Sequence, residues 1–190
     1  MRIIAGQFRG RALASVGKGD KGRHLRPTSD RVRESLFSML AGGRFGDPIT
    51  GARVLDLFAG TGALGLEALS RGAAEATFVD KGRVAAGLIR ENITKCGVTE
   101  TARLVQRDAT RLGNNPDAGY SLVFCDPPYG KKMGETALAA ALAGGWIAPG
   151  ALVIWEESAA ITPPEGLTLR DERRYGDTVI RILEAGPTNG

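Results

Sequence analysis

The sequence predicts an α/β protein: a Rossmann-like, mostly parallel seven-stranded sheet, with a C-terminal antiparallel hairpin and a small N-terminal β-hairpin and helix. Three observations carry this reading. Short apolar runs alternate with helical stretches from residue 53 onward. Gly60-Thr61-Gly62-Ala63-Leu64-Gly65, a G-x-G-x-x-G loop, joins the first run to the first helix. Two strand-like runs near the C-terminus flank Tyr175-Gly176-Asp177, a hairpin turn.

Taken in order, residues 2–16 interleave apolar stretches with Gly6 and Gly10, the pattern of a small hairpin, and residues 17–24 are a glycine- and lysine-rich loop. A helix is expected from Thr28, a good N-cap, with Asp30 in its first turn. Val32, Leu36, Met39 and Leu40 share one face of it, and Gly42-Gly43 ends it. Core strands are expected at 53–58, 76–80, 102–107, 121–126 and 151–156, with helices at 63–71, 83–95 and 133–143. The last two strands are expected at 167–174 and 178–184. This divides the chain into a basic extension, 1–45, and a core domain, 46–190. Asn92 is expected on a helix surface and Trp146 as packing.

With 190 residues, of which 43% are hydrophobic and 24% charged, the chain suits one soluble domain with a modest appendage. No apolar run approaches the roughly 20 residues that span a bilayer, and Met1-Arg2-Ile3-Ile4-Ala5-Gly6 lacks a signal-peptide layout. A cytoplasmic location and a monomer are the default expectations. Cys96 and Cys125 read as small buried thiols, and His24, the only histidine, has no partner to complete a metal site, so no metal is expected. The net charge of +4 is unevenly spread. Residues 1–33 hold nine Lys/Arg against Asp20 and Asp30, a balance of +7 that leaves −3 for the remainder. Such a block is either a phosphate footprint for nucleic acid or a solvated tail.

Asp126-Pro127-Pro128-Tyr129 follows the apolar run Ser121-Leu122-Val123-Phe124-Cys125. Both prolines fix φ and lack an N–H, and Pro128 pushes Pro127 towards an extended conformation. The result is either a rigid turn or a stiff clamp for a flat polar group. An exocyclic amine of a nucleobase fits the clamp. Its hydrogens meet Asp126 and the Pro127 carbonyl, which draws its lone pair out of conjugation, while Tyr129 stacks on the ring. Asp56, four residues before Gly60, opposes a pyrophosphate and suits a cationic amino group such as that of S-adenosylmethionine. Asp80, ending the second strand, suits ribose hydroxyls of that cofactor or of NAD. Asp108 suits either an adenine amine, with the Ala109 N–H on the ring, or the N-cap of a short turn at 109–113. All four acids fall at the C-terminal ends of successive strands, the edge along which open α/β sheets bind ligands.

With these motifs in hand, the chain resembles the RsmD family of small-subunit ribosomal RNA guanine-N2 methyltransferases, within the class I S-adenosylmethionine-dependent enzymes. The likeness runs through Arg2-Ile3-Ile4-Ala5-Gly6-Gln7-Phe8-Arg9-Gly10-Arg11, Leu25 to Phe37, Asp56 to Gly72 and Asp126 to Tyr129. It implies the seven-stranded class I methyltransferase sheet. It implies that Asp56, Phe58, Ala59, Gly60 and Gly62 hold the cofactor's methionine end, Asp80 its ribose, and Asp108 and Ala109 its adenine. Asp126, Pro127, Pro128 and Tyr129 are then the catalytic loop on the guanine amine, with Asp126 also beside the cofactor. Arg9, Arg11, Arg26, Arg31 and Arg33 would grip 16S rRNA, in the small subunit or its assembly intermediate. Tyr129 stands where the family often has Phe, so its hydroxyl needs a partner; Asp80 stands where Glu is common. The competing readings are DNA adenine-N6 or cytosine-N4 methylation, which uses a similar acidic loop, and a non-catalytic RNA-binding assembly factor.

Overall fold

The computed structural model describes residues 1–17 and 28–187. Its strands are β1 (Arg53–Leu57), β2 (Glu75–Val79), β3 (Ala102–Val105), β4 (Tyr120–Cys125), β5 (Ile147–Glu157), β6 (Leu167–Tyr175) and β7 (Thr178–Ala185). They form one sheet in the order β3-β2-β1-β4-β5-β7-β6. The first five are parallel; β7 runs antiparallel to both β5 and β6. After β1 the chain builds outward through β2 and β3, then returns to place β4 on β1's other side. That reversal opens a crevice beyond the C-terminal ends of β1 and β4.

Period-two patterning explains the two-sided core. Val54, Leu122 and Ile154 enter one apolar cluster, while their neighbours Leu55, Val123 and Val153 enter the other. Helices α2 (Ala63–Ser70) and α3 (Arg83–Cys96) cover the first face, and α4 (Met133–Ala143) the second. Cys96 and Cys125 are both buried, and Trp146 is buried with its indole N–H on the Gly113 carbonyl at 2.9 Å.

Helix α1 (Asp30–Ala41) begins one residue later than its sequence suggests. Ser29 is the cap, accepting from the Val32 N–H at 3.2 Å, and Thr28 is released for another role. The buried face is Arg33, Leu36, Phe37 and Leu40, with Val32 and Met39 half-buried beside it. Phe37 packs 5.7 Å from Phe124, which seats the helix on the sheet. The expected loop at 17–24 lies, after Gly17, outside the described residues, as do His24 and Arg26.

In place of a full hairpin, residues 2–13 form a loop closed by one antiparallel bridge, Arg2 to Ala12, and by backbone bonds such as Ile3 N–H to Arg11 O at 2.9 Å. Four of its backbone groups, and both of those of Ala14 just beyond it, are satisfied by side chains of α2 and α3, which is why it needs no longer ladder. Glu67 accepts from the Ile4 and Ala5 N–H groups at 3.0 and 3.1 Å. Ser70 Oγ accepts from Phe8 and donates to the Ala5 carbonyl. Asn92 exchanges two bonds with Ala14 at 2.7 and 3.0 Å. Asn92 is therefore not the surface residue its position suggests; it is fully buried and also donates to the Thr61 carbonyl at 2.9 Å. Ile3, Leu13, Leu36, Phe37 and Leu40 belong to the same apolar cluster as Val54 and Phe78, so the extension shares the core of the domain.

Arg33 is a second correction. The sequence places it among phosphate-binding arginines, yet its side chain is 0% exposed. It reaches Asp30 at 2.9 Å, Glu67 at 3.8 Å and the Arg2 carbonyl, and Glu67 also holds Arg71 at 3.0 Å. Burial lowers its pKa against the pull of Glu67 and Asp30. This guanidinium is a fastener between extension and core and is out of reach of any phosphate. Among the described residues no helix is long and apolar enough to cross a membrane.

Candidate active site

Beyond the C-terminal ends of β1, β4 and β5 lies a cavity of about 740 Å³. One wall is the glycine loop. Phe58 leaves β1 with φ 56°, and Gly60 and Gly62 follow at 60° and 80°. A left-handed Phe costs on the order of 1 kcal/mol and persists only where its surroundings enforce it. Here they do: Ala59 N–H donates to Val79 O at 3.0 Å and Gly60 N–H to Asp80 Oδ2 at 2.9 Å. Gly65 answers a packing demand. A Cβ there would lie 2.5 Å from the Phe78 ring, so only glycine lets α2 settle against β2.

Asp56 lies at the floor, 1% exposed, with a single hydrogen bond, from the Gly65 N–H at 3.0 Å, and no ion pair among the described residues. Burial pushes its carboxyl up to about 8, against the Gly65 bond and with Asp80 adding to the rise. A buried carboxyl lacking a cation fits a ligand that brings an ammonium group.

Opposite stands the proline loop. Asp126 opens partly onto the cavity, its Oδ2 3.4 Å from Thr28 Oγ1. Burial, then the nearby Glu156 and Asp56 carboxyls, raise its pKa well above the carboxylate range. Tyr129 has the partner its hydroxyl requires: it donates to Glu156 Oε1 at 2.7 Å and lies 3.2 Å from Thr178 Oγ1. Burial is the first cause of its raised pKa.

The structure thus brings Asp56, Phe58, Ala59, Gly60, Asp126, Pro127, Pro128 and Tyr129 around one space. Gly62, Asp80, Asp108 and Ala109 do not line that cavity. Asp80 is occupied in shaping the loop, accepting from Gly60 and Gly82. Asp108 caps the 3-10 turn Ala109–Arg111 through bonds from Thr110 at 2.9 and 2.7 Å, leaving Oδ2 facing Lys81. Of the basic candidates, Arg9 and Arg31 are exposed and without an ion pair among the described residues. Arg11 lies over the Phe8 ring and donates to the Lys95 carbonyl at 2.9 Å.

Thr28, expected from sequence only as a helix cap, lines the cavity, as do Lys131 and Glu156, which were not singled out from sequence. Glu156 carried a signal: it ends the fifth expected strand, as the four recognised acids end strands of their own.

A family model described as conserved hypothetical protein 95 matches residues 1–184. The chain belongs to that family, the RsmD family. It is 37% identical to ribosomal RNA small subunit methyltransferase D of Escherichia coli, over 97% of this chain and 89% of that one. The protein of the same name from Haemophilus influenzae is 33% identical over 97% and 93%. Among solved structures, yhhF of Escherichia coli, assigned to the methyltransferases, superposes with a TM-score of 0.81 at 36% identity, covering 99% of each chain. Family membership makes the protein an S-adenosylmethionine-dependent methyltransferase with the seven-stranded sheet of that class.

One consequence concerns pH. An ion pair between Asp56 and the cofactor's amino group needs an ionised carboxyl and a protonated amine, whose ordinary pKa is about 7.7–8.0. If Asp56 holds that amine, binding below pH 8 would strip a proton from its carboxyl, and affinity would climb with pH by up to about tenfold per unit. Above pH 8 the amine would deprotonate and affinity would fall again. The same raised pKa means that the cofactor-free protein loses stability as pH rises from the ordinary carboxyl range through about 8. Calorimetric titration with S-adenosylmethionine from pH 6 to 9 is expected to show a maximum near 8, with the acid limb flattened in Asp56→Asn. A flat wild-type profile would remove Asp56 from the amino group.

Proposed function

We propose that the protein transfers a methyl group from S-adenosylmethionine to the exocyclic N2 amine of a guanine in small-subunit (16S) ribosomal RNA. The observation that carries this reading is the facing of two loops across one cavity: Asp126-Pro127-Pro128-Tyr129 after β4 and the glycine loop after β1. The names of the relatives support ribosomal RNA as the substrate class.

Asp56, Phe58, Ala59 and Gly60 would hold the methionine end of S-adenosylmethionine, with Gly62 shaping the loop, and the bound cofactor would supply a methyl group on a positively charged sulfur. Asp80 would take the ribose hydroxyls, and Asp108 with Ala109 the adenine. Asp126 and the Pro127 carbonyl accept hydrogen bonds from the guanine N2 hydrogens and direct its lone pair at the methyl. Orientation of this kind is worth several kcal/mol of the barrier. Tyr129, held by Glu156 and Thr178, offers its ring face to the base. Amine hydrogens and nearby positive charge favour the ionised form of Asp126, so substrate binding expels a proton. Asp126 then offsets charge developing on nitrogen and takes, directly or through water, the proton that nitrogen releases. A stacked, paired base cannot enter such a cavity, so the target guanine is unpaired or flipped out.

Residues 1–45 act in this reading as the RNA-gripping extension and 46–190 as the transferase domain, in a cytoplasmic monomer. Among the described members of the basic candidate set, Arg9 and Arg31 are exposed without an ion pair and would meet phosphate, with Lys131 on the cavity wall.

The test is methyl transfer from labelled S-adenosylmethionine to unmodified small subunits, naked 16S rRNA and duplex DNA, with products digested to nucleosides and weighed. N2-methylguanosine from either RNA substrate is expected; methylated DNA bases would replace this reading. In the same assay Arg9→Ala with Arg31→Ala should weaken RNA binding and reduce the slope of log affinity against log salt by about 1–2. An unchanged slope would relieve the extension of its RNA role.

A further inference from the structure

The cavity holds an acid that the reaction outlined above does not use chemically. Glu156 lies near the end of β5, paired in register with Ile180 of β7, and is 9% exposed. Its two oxygens serve different parts of the site. Oε1 accepts from the Tyr129 hydroxyl at 2.7 Å, and Oε2 accepts from Thr28 Oγ1 at 2.8 Å. Thr28 Oγ1 is itself 3.4 Å from Asp126 Oδ2. Side chains alternate along a strand, and the next residue, Glu157, clamps the same loop from its other side, accepting from the Gly130 N–H at 3.2 Å.

We propose that Glu156 is a positioning residue for methyl transfer, one that ties Asp126, Tyr129 and the Thr28 end of the N-terminal extension into a single unit. The inference rests on the amine-methylation reading and adds a residue to it. Three facts favour positioning over plain fold support. Glu156 bridges two segments separated by 98 residues or more from one another, Thr28 and the 126–129 loop. Both its contacts end on groups that line the cavity. It also stands as a second carboxyl beside Asp126, and its charge adds to the burial that holds Asp126's proton. Thr28 has one hydroxyl hydrogen for two carboxyls, so the pair is at ease only when one of them carries a proton or when a ligand's hydrogens replace it. Glu156 thereby makes Asp126 ready to change state as the amine arrives.

Several other groups face this pair and act on any pH profile. They are Asp56 from β1, Cys125 at the end of β4, Tyr129 from the loop, and Glu157 on β5. Lys131 and Asp177 sit on the cavity wall. Arg181 of β7 is turned to Glu172 and to the carbonyls of Glu157 and Ala159.

Two measurements test this. In the first, kinetics with unmodified small subunits compare wild type, Glu156→Gln, Thr28→Val, Tyr129→Phe and the double variant Tyr129→Phe with Glu156→Gln. Glu156→Gln is expected to lower kcat about tenfold to a hundredfold with cofactor affinity within about twofold, because misplacement of the acceptor loses orientation while leaving the glycine loop intact. Tyr129→Phe should cost much less in the Glu156→Gln background than in wild type, since its hydroxyl acts through Glu156. In the second, the Asp126 carboxyl is followed by carbon NMR against pH without substrate, and its midpoint is expected to fall in Glu156→Gln. Unchanged kcat in a folded variant, additive losses, or an unmoved midpoint would each overturn the proposal. Should Glu156→Gln not fold, Thr28→Val and Tyr129→Phe carry the same kinetic and NMR comparisons. A wild type that makes no N2-methylguanosine would overturn the reaction reading instead, and the Asp126 midpoint would still decide whether Glu156 governs that carboxyl.

Discussion

Replacing Asp126 by Ala is expected to reduce methyl transfer by about 10²–10³-fold or more while S-adenosylmethionine still binds. The magnitude is that of removing a preorganised group aimed at developing charge. Cofactor affinity survives because Asp56 and the glycine loop, on the other wall, do not depend on Asp126 for their bonds. Asp126→Asn makes the sharper comparison. It keeps the size and one acceptor yet cannot take a proton, and it removes the cost of holding a carboxyl protonated beside Glu156 and Asp56 above the ordinary carboxyl range. At neutral pH that variant should melt higher than wild type even as it fails to turn over, an instance of stability given up for function. Single-turnover transfer, cofactor titration and thermal melting on the same preparations check all of this. Undiminished transfer by either variant would end the role assigned to Asp126.

The second large effect concerns stability. Glu67→Ala is expected to destabilise the fold by about 3–5 kcal/mol, the usual cost of stranding a buried charge. Glu67 is 0% exposed and answers Arg33, Arg71 and the N–H groups of Ile4 and Ala5. Its loss leaves the Arg33 guanidinium buried with Asp30 and the Arg2 carbonyl as its remaining contacts. For a chain of this size, the melting temperature should fall by about 10 °C. Proteolysis should attack residues 1–17 first, because they lose their main anchor. Arg33→Met, which removes the charge but keeps apolar bulk, should be milder. A drop of under 2 °C for Glu67→Ala would show that the ion pair is dispensable.

Why some of this was readable in the sequence and some was not comes down to the kind of signal each residue leaves. Strands β1 to β5 announce themselves through apolar runs, and Gly60 to Gly65 through a spacing that backbone approach demands; both signals are local. The fold class, the two facing loops and the acids at the strand ends followed from these. Arg33 and Asn92 were misread because a polar residue in a helical pattern is presumed solvated, and only long-range packing shows that Glu67 and Ala14 meet them. Thr28 and Ser29 are both competent caps, so the choice between them was made by Asp126 and Glu156, distant in the chain. The short bridge at Arg2 and Ala12 defeated the hairpin expectation in the same way, since its missing ladder is supplied by α2 and α3.

Asn92 sets a chronology for the chain. Residues 1–17 are synthesised ahead of the groups that satisfy their backbone, Glu67, Ser70 and Asn92, which stand 62 to 78 residues further along the chain from their partners. The long-range bonds of this leading segment can therefore close only after α2 and α3 have both been made. Asn92 donates to Ala14 and Thr61 together, so one side chain couples the docking of residues 1–17 to the shape of the glycine loop.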